Sequence, residues 1–216
     1  MRKSIGIVLG AWVALTGWAA DSARPAAAAV GPRSAHGDGR ADRDVDDETV
    51  HVRCPFDVPA VLDPPADATL QVAFAARGVQ IYTCATPAAG GAPAWTLKAP
   101  HAVLFKGFET AAIHFAGPSW QAPDGSLVTG TRTASDPGPD PTAIPWLLLQ
   151  AATNVGPGAL SDVTWIQRLD TEGGAAPANG CDGGHVGAQV LVPYRASYFF
   201  YRAAVAGKKV RQCAAR

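Results

Sequence analysis

The chain has 216 residues, 48% of them hydrophobic and 17% charged, and its 18 Lys and Arg balance 18 Asp and Glu. Nucleic-acid-binding proteins usually carry a broad basic face interleaved with aromatic residues, and this neutral chain has none, so we expect no nucleic-acid partner. It also has no Gly-x-Ser-x-Gly, Walker or dinucleotide-binding motif, so neither a hydrolase elbow nor a nucleotide site is indicated.

The N-terminus predicts export. Arg2 and Lys3 precede an uncharged apolar run from residue 5 to residue 20, and small residues follow it. This run of about sixteen residues is shorter than the roughly 20 that cross a bilayer as a helix. Its layout is typical of a cleaved secretory signal. We therefore expect residues 1–22 to be a signal peptide, with an uncleaved anchor as the alternative and the exact cleavage site open.

The next segment, residues 23–49, differs in composition from the rest of the chain. It contains no aromatic residue and mixes Ala, Gly, Pro, Arg and Asp. Such a segment buries too little apolar surface to offset the entropy of ordering. We interpret it as a disordered spacer that leads into a single domain, residues 50–216. The mature protein is expected to be extracellular or periplasmic, with no transmembrane segment after signal cleavage.

Four cysteines lie in the predicted domain: Cys54, Cys84, Cys181 and Cys213. An even number in an exported chain indicates disulfides, and four cysteines allow three pairings. We favour Cys84 with Cys181 inside the domain and Cys54 with Cys213 at its two ends. No two of them have the close spacing of a zinc site. We expect neither a metal nor a cofactor.

The local patterns predict an all-β domain. Residues 70–74 and 79–82 alternate apolar and polar positions, as do residues 163–169, where Val163 and Trp165 share one face. Such runs, bounded by Gly, Pro and Asp, are typical of strands. We expect a single-domain sandwich or closed barrel of short, mostly antiparallel strands with little helix.

Two further segments bear on this fold. Residues 144–154 are apolar on all sides, which fits a buried strand or a short helix, and we favour the strand. In Ala122-Pro-Asp-Gly-Ser126, Pro presets φ, Asp124 can bond its own backbone and Gly takes a positive φ. This turn is predicted to join a strand through Trp120 to one through Val128.

The chemistry-bearing residues form no recognised catalytic set. His114 and Asp124 are weak catalytic candidates, because both lie around the hairpin of the predicted turn. Aromatic side chains either pack in a core or stack on a ligand. We expect Trp146 to be largely core and Trp120 to be more open. The ligand-binding candidates are Trp120, Trp146, His114 and Tyr82.

The sequence resembles a known family in several segments. The most telling is His-Phe-Ala-Gly-Pro-Ser-Trp-Gln at 114–121, followed by Asp-Gly-Ser at 124–126. Further matching segments are residues 78–84, 144–149, 164–169, 173–174, 177–181, 192–194 and 198–201. Together they resemble the exported family called domain of unknown function 3455 (DUF3455). The resemblance runs from about residue 58 to 201 and implies secretion and a single domain, but no activity.

One departure from that family is visible. Where the family tends to have Pro-Glu-Ala, this chain has Pro100-His101-Ala102. A family mechanism that needed this carboxylate would be in doubt here.

Three functions remain open at this point. The first is a non-catalytic, secreted binding or surface-interaction module for a small ligand or a carbohydrate. The second is a secreted hydrolase-type enzyme that uses His114 with a nearby Asp. The third is a structural envelope or stress protein. The sequence leaves the oligomeric state open.

Overall fold

The structure is a computed structural model that describes residues 54–55 and 57–204. In this part of the chain, eight strands form one antiparallel sheet that closes into a barrel, because β8 pairs with β1 as well as with β7. The strands are β1 (Ala68–Ala85), β2 (Ala94–Lys106), β3 (Glu109–Phe115), β4 (Ser119–Gln121), β5 (Leu127–Asp136), β6 (Trp146–Val155), β7 (Trp165–Gly173) and β8 (Gln189–Ala203).

The predicted all-β class is confirmed, and of the two architectures considered the closed barrel is the one observed. The segment that fitted either a helix or a strand forms β6. The only regular element besides the strands in the described residues is a single 3-10 turn, Ala60–Leu62. None of the helical segments in this part of the chain has the length and apolarity to cross a membrane. The predicted signal peptide and spacer lie outside the described residues.

Each strand pairs with its neighbour in sequence, so the connections alternate between the two ends of the barrel. We call one end the open end; its loops are residues 86–93, 116–118, 137–145 and 174–188. We call the other the closed end; its loops are residues 107–108, 122–126 and 156–164. These two ends differ in how their interior is filled.

Large side chains fill the barrel interior towards the closed end. Trp120 packs edge-on against Phe200, with ring centroids 6.0 Å apart, and Phe74 lies 5.5 Å from Phe200. Leu160 and Val163, from the loop that joins β6 to β7, are buried in the same cluster. An eight-stranded barrel is just wide enough for side chains to fill it or for one small ligand to enter. Side chains fill the closed end around Trp120 and Phe200, and a recess of about 480 Å³ also lies at this end, lined by residues that include Phe74, Thr110, Ala122 and Asp124.

The closed end is held by the turn that the sequence predicts. Gly125 N–H donates to the carbonyl of Ala122 at 3.0 Å, and Ser126 N–H donates to the Asp124 carboxylate at 2.9 Å. This carboxylate also accepts the N–H of Ala159 at 2.7 Å, in the loop across the barrel end. The predicted turn is therefore confirmed, and it also fastens a second loop.

A second apolar cluster lies on the outer face of the barrel wall. The segment before β1 contributes Val58 and Leu62, which pack with buried side chains of β6, β7 and β8. Gln167 Nε2 donates to the carbonyl of Leu62 at 2.6 Å, and the Tyr201 hydroxyl donates to Gln167 Oε1. The wall is thus buried on both faces here, which explains why β8 is apolar without alternation over residues 198–201.

A disulfide fastens the longest loop of the open end. Cys84 on β1 bonds Cys181, as the sequence predicts. Gly187 N–H also donates to the carbonyl of Cys84 at 2.8 Å, so the loop is held next to β1 by backbone as well as by sulfur. The other expected pair, Cys54 with Cys213, stays a prediction because Cys213 lies outside the described residues.

Candidate functional site

The open end of the barrel contains a cavity of about 450 Å³. Its polar lining consists of Gln80, Tyr82, Lys98, His114, Arg132 and Arg168. Its apolar lining includes Leu97, Ala99, Pro100, Ala116, Pro118, Ile144, Pro145 and Leu147. A cavity of this size, mostly apolar with a few convergent polar groups, is the usual form of a small-molecule site. No Asp or Glu belongs to this lining.

Strand alternation brings the polar groups into the cavity. On β1, the buried positions Phe74, Ala76, Gln80 and Tyr82 share one face. Because successive side chains of a strand point to opposite faces, the inward row passes from a filled interior at Phe74 to the cavity at Gln80. The barrel therefore has an apolar base and a partly polar upper half.

His114 lies near the end of β3, at the bottom of the cavity. Only 3% of its surface is exposed, and its ring stacks on Trp120 with centroids 4.5 Å apart and 6° between the planes. Nδ1 lies 2.8 Å from the carbonyl oxygen of Ser119. A carbonyl can only accept, so Nδ1 carries the proton of the neutral ring and Nε2 carries a lone pair.

Burial lowers the pKa of His114 to about 3; the hydrogen bond to Ser119 opposes this shift and the charge of Arg168 adds to it. The ring is therefore neutral at physiological pH. It offers the cavity a neutral acceptor, and it contributes no positive charge.

Arg168 brings a fixed positive charge into the barrel. It follows Ile166 on the inward face of β7 and is partly buried. Its Nε and Nη2 donate to the carbonyl of Pro145 at 3.1 and 2.8 Å, which holds the guanidinium at the edge of the cavity. Burial raises the pKa of Tyr82 and of Tyr194, and the charge of Arg168 opposes both shifts, so the charge acts across the interior.

No ion pair joins Arg168 or Arg132 to a carboxylate within the part of the chain that the structure describes. Arg132 is exposed on β5 and Lys98 on β2, both at the rim. A charge that is partly removed from water without a counter-ion is costly. The cavity is thus electropositive and uncompensated by this part of the protein.

Five described residues have a buried side-chain atom without a hydrogen-bond partner, and of these only Gln80 lines the cavity. It is 2% exposed, and its amide nitrogen Nε2 has no hydrogen-bond partner among the described residues. An unpaired buried donor costs about 1–3 kcal/mol, so native proteins rarely keep one without a reason.

The hydroxyl of the neighbouring Tyr82 has a hydrogen-bond partner. It donates to the carbonyl of Gly174 at 2.7 Å. Gly174 adopts a φ of +81°, and a Cβ there would lie 2.8 Å from Cβ of Tyr194. The positive φ and the close approach of Tyr194 both require glycine at this position, so Gly174 has a packing role beside the cavity.

The structure brings together two of the four ligand-binding candidates. Tyr82 and His114 line the cavity. Trp120 lies beneath His114 and is 1% exposed, so the expectation that it is more open is wrong; its indole fills the interior between Tyr198 and Phe200. Trp146 is buried in the cluster outside the barrel wall, away from the cavity lining.

The two catalytic candidates are not brought together. His114 is near the open end, whereas Asp124 lies in a loop of the closed end and bonds the N–H and hydroxyl of Ser126 and the N–H of Ala159. The Ser126 hydroxyl, at 2.6 Å, is the main cause that lowers the pKa of Asp124. Among the described residues, no three His, Cys, Asp or Glu side chains are grouped as metal ligands would be.

Sequence reasoning missed Gln80, Lys98, Arg132 and Arg168. Strand parity carried a signal for two of them, and it was clear for Arg168, which has the same strand parity as Ile166 within an apolar, alternating run. An arginine on the inward face of a strand is rarely only a solvated charge. Gln80 had the same parity signal, but a glutamine between Val79 and Ile81 also fits an outward, solvated position.

Comparison with known proteins matches the chain to one family model but to no curated protein or solved structure. The profile of the family described as "Protein of unknown function (DUF3455)" matches residues 65–113 and 105–202, which together cover all eight strands except the last residue of β8. No curated protein and no solved structure matches the chain significantly.

Proposed function

We propose that this chain, which belongs to the DUF3455 family, binds a small molecule in the cavity at the open end of the barrel. The family's description assigns no activity, so the proposal rests on the geometry of the cavity. The observation that carries this proposal is the unpartnered amide of Gln80, buried in the wall of a cavity of about 450 Å³. A buried donor without a partner costs free energy, and a ligand in the cavity would offset that cost by accepting its hydrogen bond.

The geometry favours a small ligand over a long carbohydrate chain. Sugar-binding surfaces usually present aromatic rings on an exposed face. Here both Trp120 and Trp146 are buried, and neither belongs to the cavity lining. The site is a recess in the end of a barrel, which suits a compact molecule.

The geometry gives less support to a hydrolase. A general base needs a partner within hydrogen-bond reach and a pKa near the working pH. The Nδ1 atom of His114 is engaged by a backbone carbonyl, and burial lowers the ring's pKa to about 3. Binding without catalysis is therefore the function that we propose.

We further propose that binding takes place outside the cytoplasm. The Cys84–Cys181 disulfide supports this, since disulfides persist in oxidising compartments and are rare in the cytosol. The predicted signal peptide is the second support. Sequencing the N-terminus of the protein recovered from its native host tests this part, and a mature chain that began at Met1 would contradict it.

Obstruction of the cavity tests the binding proposal. Ala116 lines the cavity at the β3–β4 turn and is exposed, so Ala116→Trp adds a ring at the mouth without burying it in a core. Ala152→Trp, at an exposed position of β6 outside the lining, is the matched control. The probes are two fluorescent dyes, anionic 1-anilinonaphthalene-8-sulfonate and uncharged N-phenyl-1-naphthylamine.

At least one dye is expected to bind with a stoichiometry of about one, and Ala116→Trp to weaken it about tenfold, which corresponds to about 1.4 kcal/mol. Ala152→Trp should bind as the unaltered protein does. Far-ultraviolet circular dichroism confirms that each variant is folded. If both variants bind equally well, or if neither dye and no small apolar acid or amide binds saturably, the proposal is wrong.

A further inference from the structure

We propose that the ligand of this cavity is an organic monocarboxylate, whose carboxylate is bound by Arg168 and Gln80 and whose apolar body lies against the walls. This inference rests on the proposed function and specifies the chemistry of the ligand. It is carried by the charge balance of the lining, by the donors that remain free, and by the nature of the walls.

The charge balance of the lining favours an anion. The cavity lining contains Lys98, Arg132 and Arg168 and no carboxylate. Of the three, only Arg168 is partly buried; the others are exposed at the rim, where water screens them. One partly buried guanidinium is balanced by one negative charge. The rim charges would instead steer an anion to the mouth.

The neutral groups of the lining do not change this balance of charges. His114 donates its Nδ1 proton to the carbonyl of Ser119, and the hydroxyl of Tyr82 donates to that of Gly174. Neither group brings a charge to the cavity at neutral pH. A dianion such as a phosphate monoester would leave one charge unbalanced inside the barrel, and a monocarboxylate would leave none.

The free donors suit a carboxylate. Two N–H groups of Arg168, on Nε and Nη2, are taken by the carbonyl of Pro145. Both N–H groups of Nη1 and one of Nη2 remain, and a guanidinium presents such donors in a plane that matches a carboxylate. Gln80 adds the unpartnered N–H groups of its Nε2, which is closed off from solvent in the structure and would reach a carboxylate by rotation of the side-chain amide.

The apolar walls of the cavity can contact the rest of the ligand. Leu97, Ile144 and Leu147 line the cavity together with prolines and alanines. Apolar surface of this kind gains by covering hydrocarbon at about 25 cal/mol per Å². The ligand is thus an amphiphilic acid with an aliphatic or aromatic body, whose size is limited by a cavity of about 450 Å³.

Paired probes that differ only in charge test the inference. Octanoate is compared with octanamide, and phenylacetate with phenylacetamide, by calorimetry on the mature protein at pH 7. At least one carboxylate is expected to bind about tenfold or more tightly than its amide, because hydrogen bonds to charged groups are about twice as strong as neutral ones. Octyl phosphate is expected to bind more weakly than octanoate.

Substitution of the arginine tests the same point from the protein side. Arg168→Gln should bind the carboxylate and its amide equally, whereas Arg195→Gln should keep the preference. Arg195 is exposed on β8 outside the cavity lining, where it is 4.0 Å from Glu172. If Arg168→Gln does not fold, the charge preference of the unaltered protein decides on its own.

The outcomes separate the two proposals. An amide that binds as tightly as its carboxylate, a preference for octyl phosphate, or dye binding without carboxylate binding would overturn the monocarboxylate assignment and leave the proposed function standing. If neither dye nor any of these probes binds, both proposals are overturned. Retention of the charge preference in Arg168→Gln would also overturn the role assigned to that residue.

Discussion

Two buried glutamines show how the same side chain can serve the fold or a site. Gln167 is bonded at both ends of its amide, to Leu62 and to Tyr201, outside the barrel wall. Gln80, inside the barrel, has an amide nitrogen without a partner. Since a buried amide is stabilising only when its hydrogen bonds are made, the two residues should respond in opposite ways to the same substitution.

We predict that Gln80→Leu raises the free energy of unfolding by about 1 kcal/mol, because it removes an unpaired donor at little change in volume. Gln167→Leu should lower the free energy of unfolding by about 1–3 kcal/mol, because it leaves two partners unpaired. Urea unfolding of the unliganded proteins measures both. Destabilisation by Gln80→Leu as large as that by Gln167→Leu would show that Gln80 serves the fold.

The buried His114 makes stability depend on pH. Its pKa is lowered from 6.5 to about 3 in the folded protein, so below pH 6.5 the unfolded chain takes up a proton that the folded chain refuses. The contribution of the neutral ring to the free energy of unfolding is therefore fully present above pH 6.5 and is lost as the pH falls from there towards 3.

We predict that the free energy of unfolding falls with acidification between pH 6.5 and 5, with a slope from this group that approaches about 1.4 kcal/mol per pH unit. His114→Phe, which keeps a ring over Trp120, should have a shallower slope by that amount. Urea unfolding at several pH values gives both slopes. Equal slopes in the two proteins would mean that His114 is accessible to protons in the folded state.

Single residues were the least predictable part of the site. The sequence identified His114 and Tyr82 because their residue types are rare and chemically distinctive. It misplaced Trp120, because an indole fits a filled interior and an open surface equally well until the neighbouring strands are known. It did not indicate what holds Arg168, because the partner of its guanidinium, the carbonyl of Pro145, is 23 residues away.

Among the elements, the β4–β5 turn has the clearest link from sequence to structure. Its Pro-Asp-Gly-Ser composition predicted both its position and the role of Asp124 as the acceptor of its own turn. The sequence could not show that the same carboxylate bonds Ala159, because that contact spans 35 residues. A local motif thus became the clamp for the loop that covers the closed end.

We predict that Asp124→Ala lowers the urea midpoint more than Asp140→Ala does. Asp140 makes the same kind of turn contact, with the N–H and hydroxyl of Thr142, but the described hydrogen bonds of its carboxylate go to that one residue. Asp124 in addition fastens residues 156–164 over the barrel end. Unfolding curves of the two variants decide the order, and a larger effect of Asp140→Ala would contradict the clamp. Asp124→Ala should not alter dye binding at the open end.

Strand boundaries were harder to predict than strand existence. The alternating run from Val163 to Leu169 indicated one strand with Val163 and Trp165 on the same face. In the structure β7 begins at Trp165, and Val163 reaches the interior cluster from the preceding loop. Ile166 and Arg168 therefore face inward, and the predicted parity is shifted because loop residues do not obey a period of two.

For the whole molecule, the all-β class followed from local patterns, whereas closure did not. Closure depends on the pairing of β1 with β8, which joins Ala68 to Ala203 across nearly the entire domain. No local pattern encodes such a pairing, so a sandwich and a barrel were equally compatible with the sequence. The cavity is a consequence of closure, which is why its position could not be predicted.

The barrel divides its interior between stability and binding. Aromatic packing, the Asp124 turn and the covering loop stabilise the closed end, while Arg168 and Gln80 belong to the lining of the cavity at the open end. Barrel ends in many proteins host ligands because a rigid wall can hold a few polar groups in place. The central claim for this protein is that the open end is such a site.

Side-chain nuclear magnetic resonance tests this claim most directly. The protein labelled with ¹⁵N is titrated with octanoate or phenylacetate, whichever binds more tightly. The account predicts saturable shifts of the Gln80 side-chain amide and of Arg168 Nε–H, with Gln167 and Arg195 unchanged. Shifts confined to the closed end or to the outer wall, or none at saturation, would contradict it.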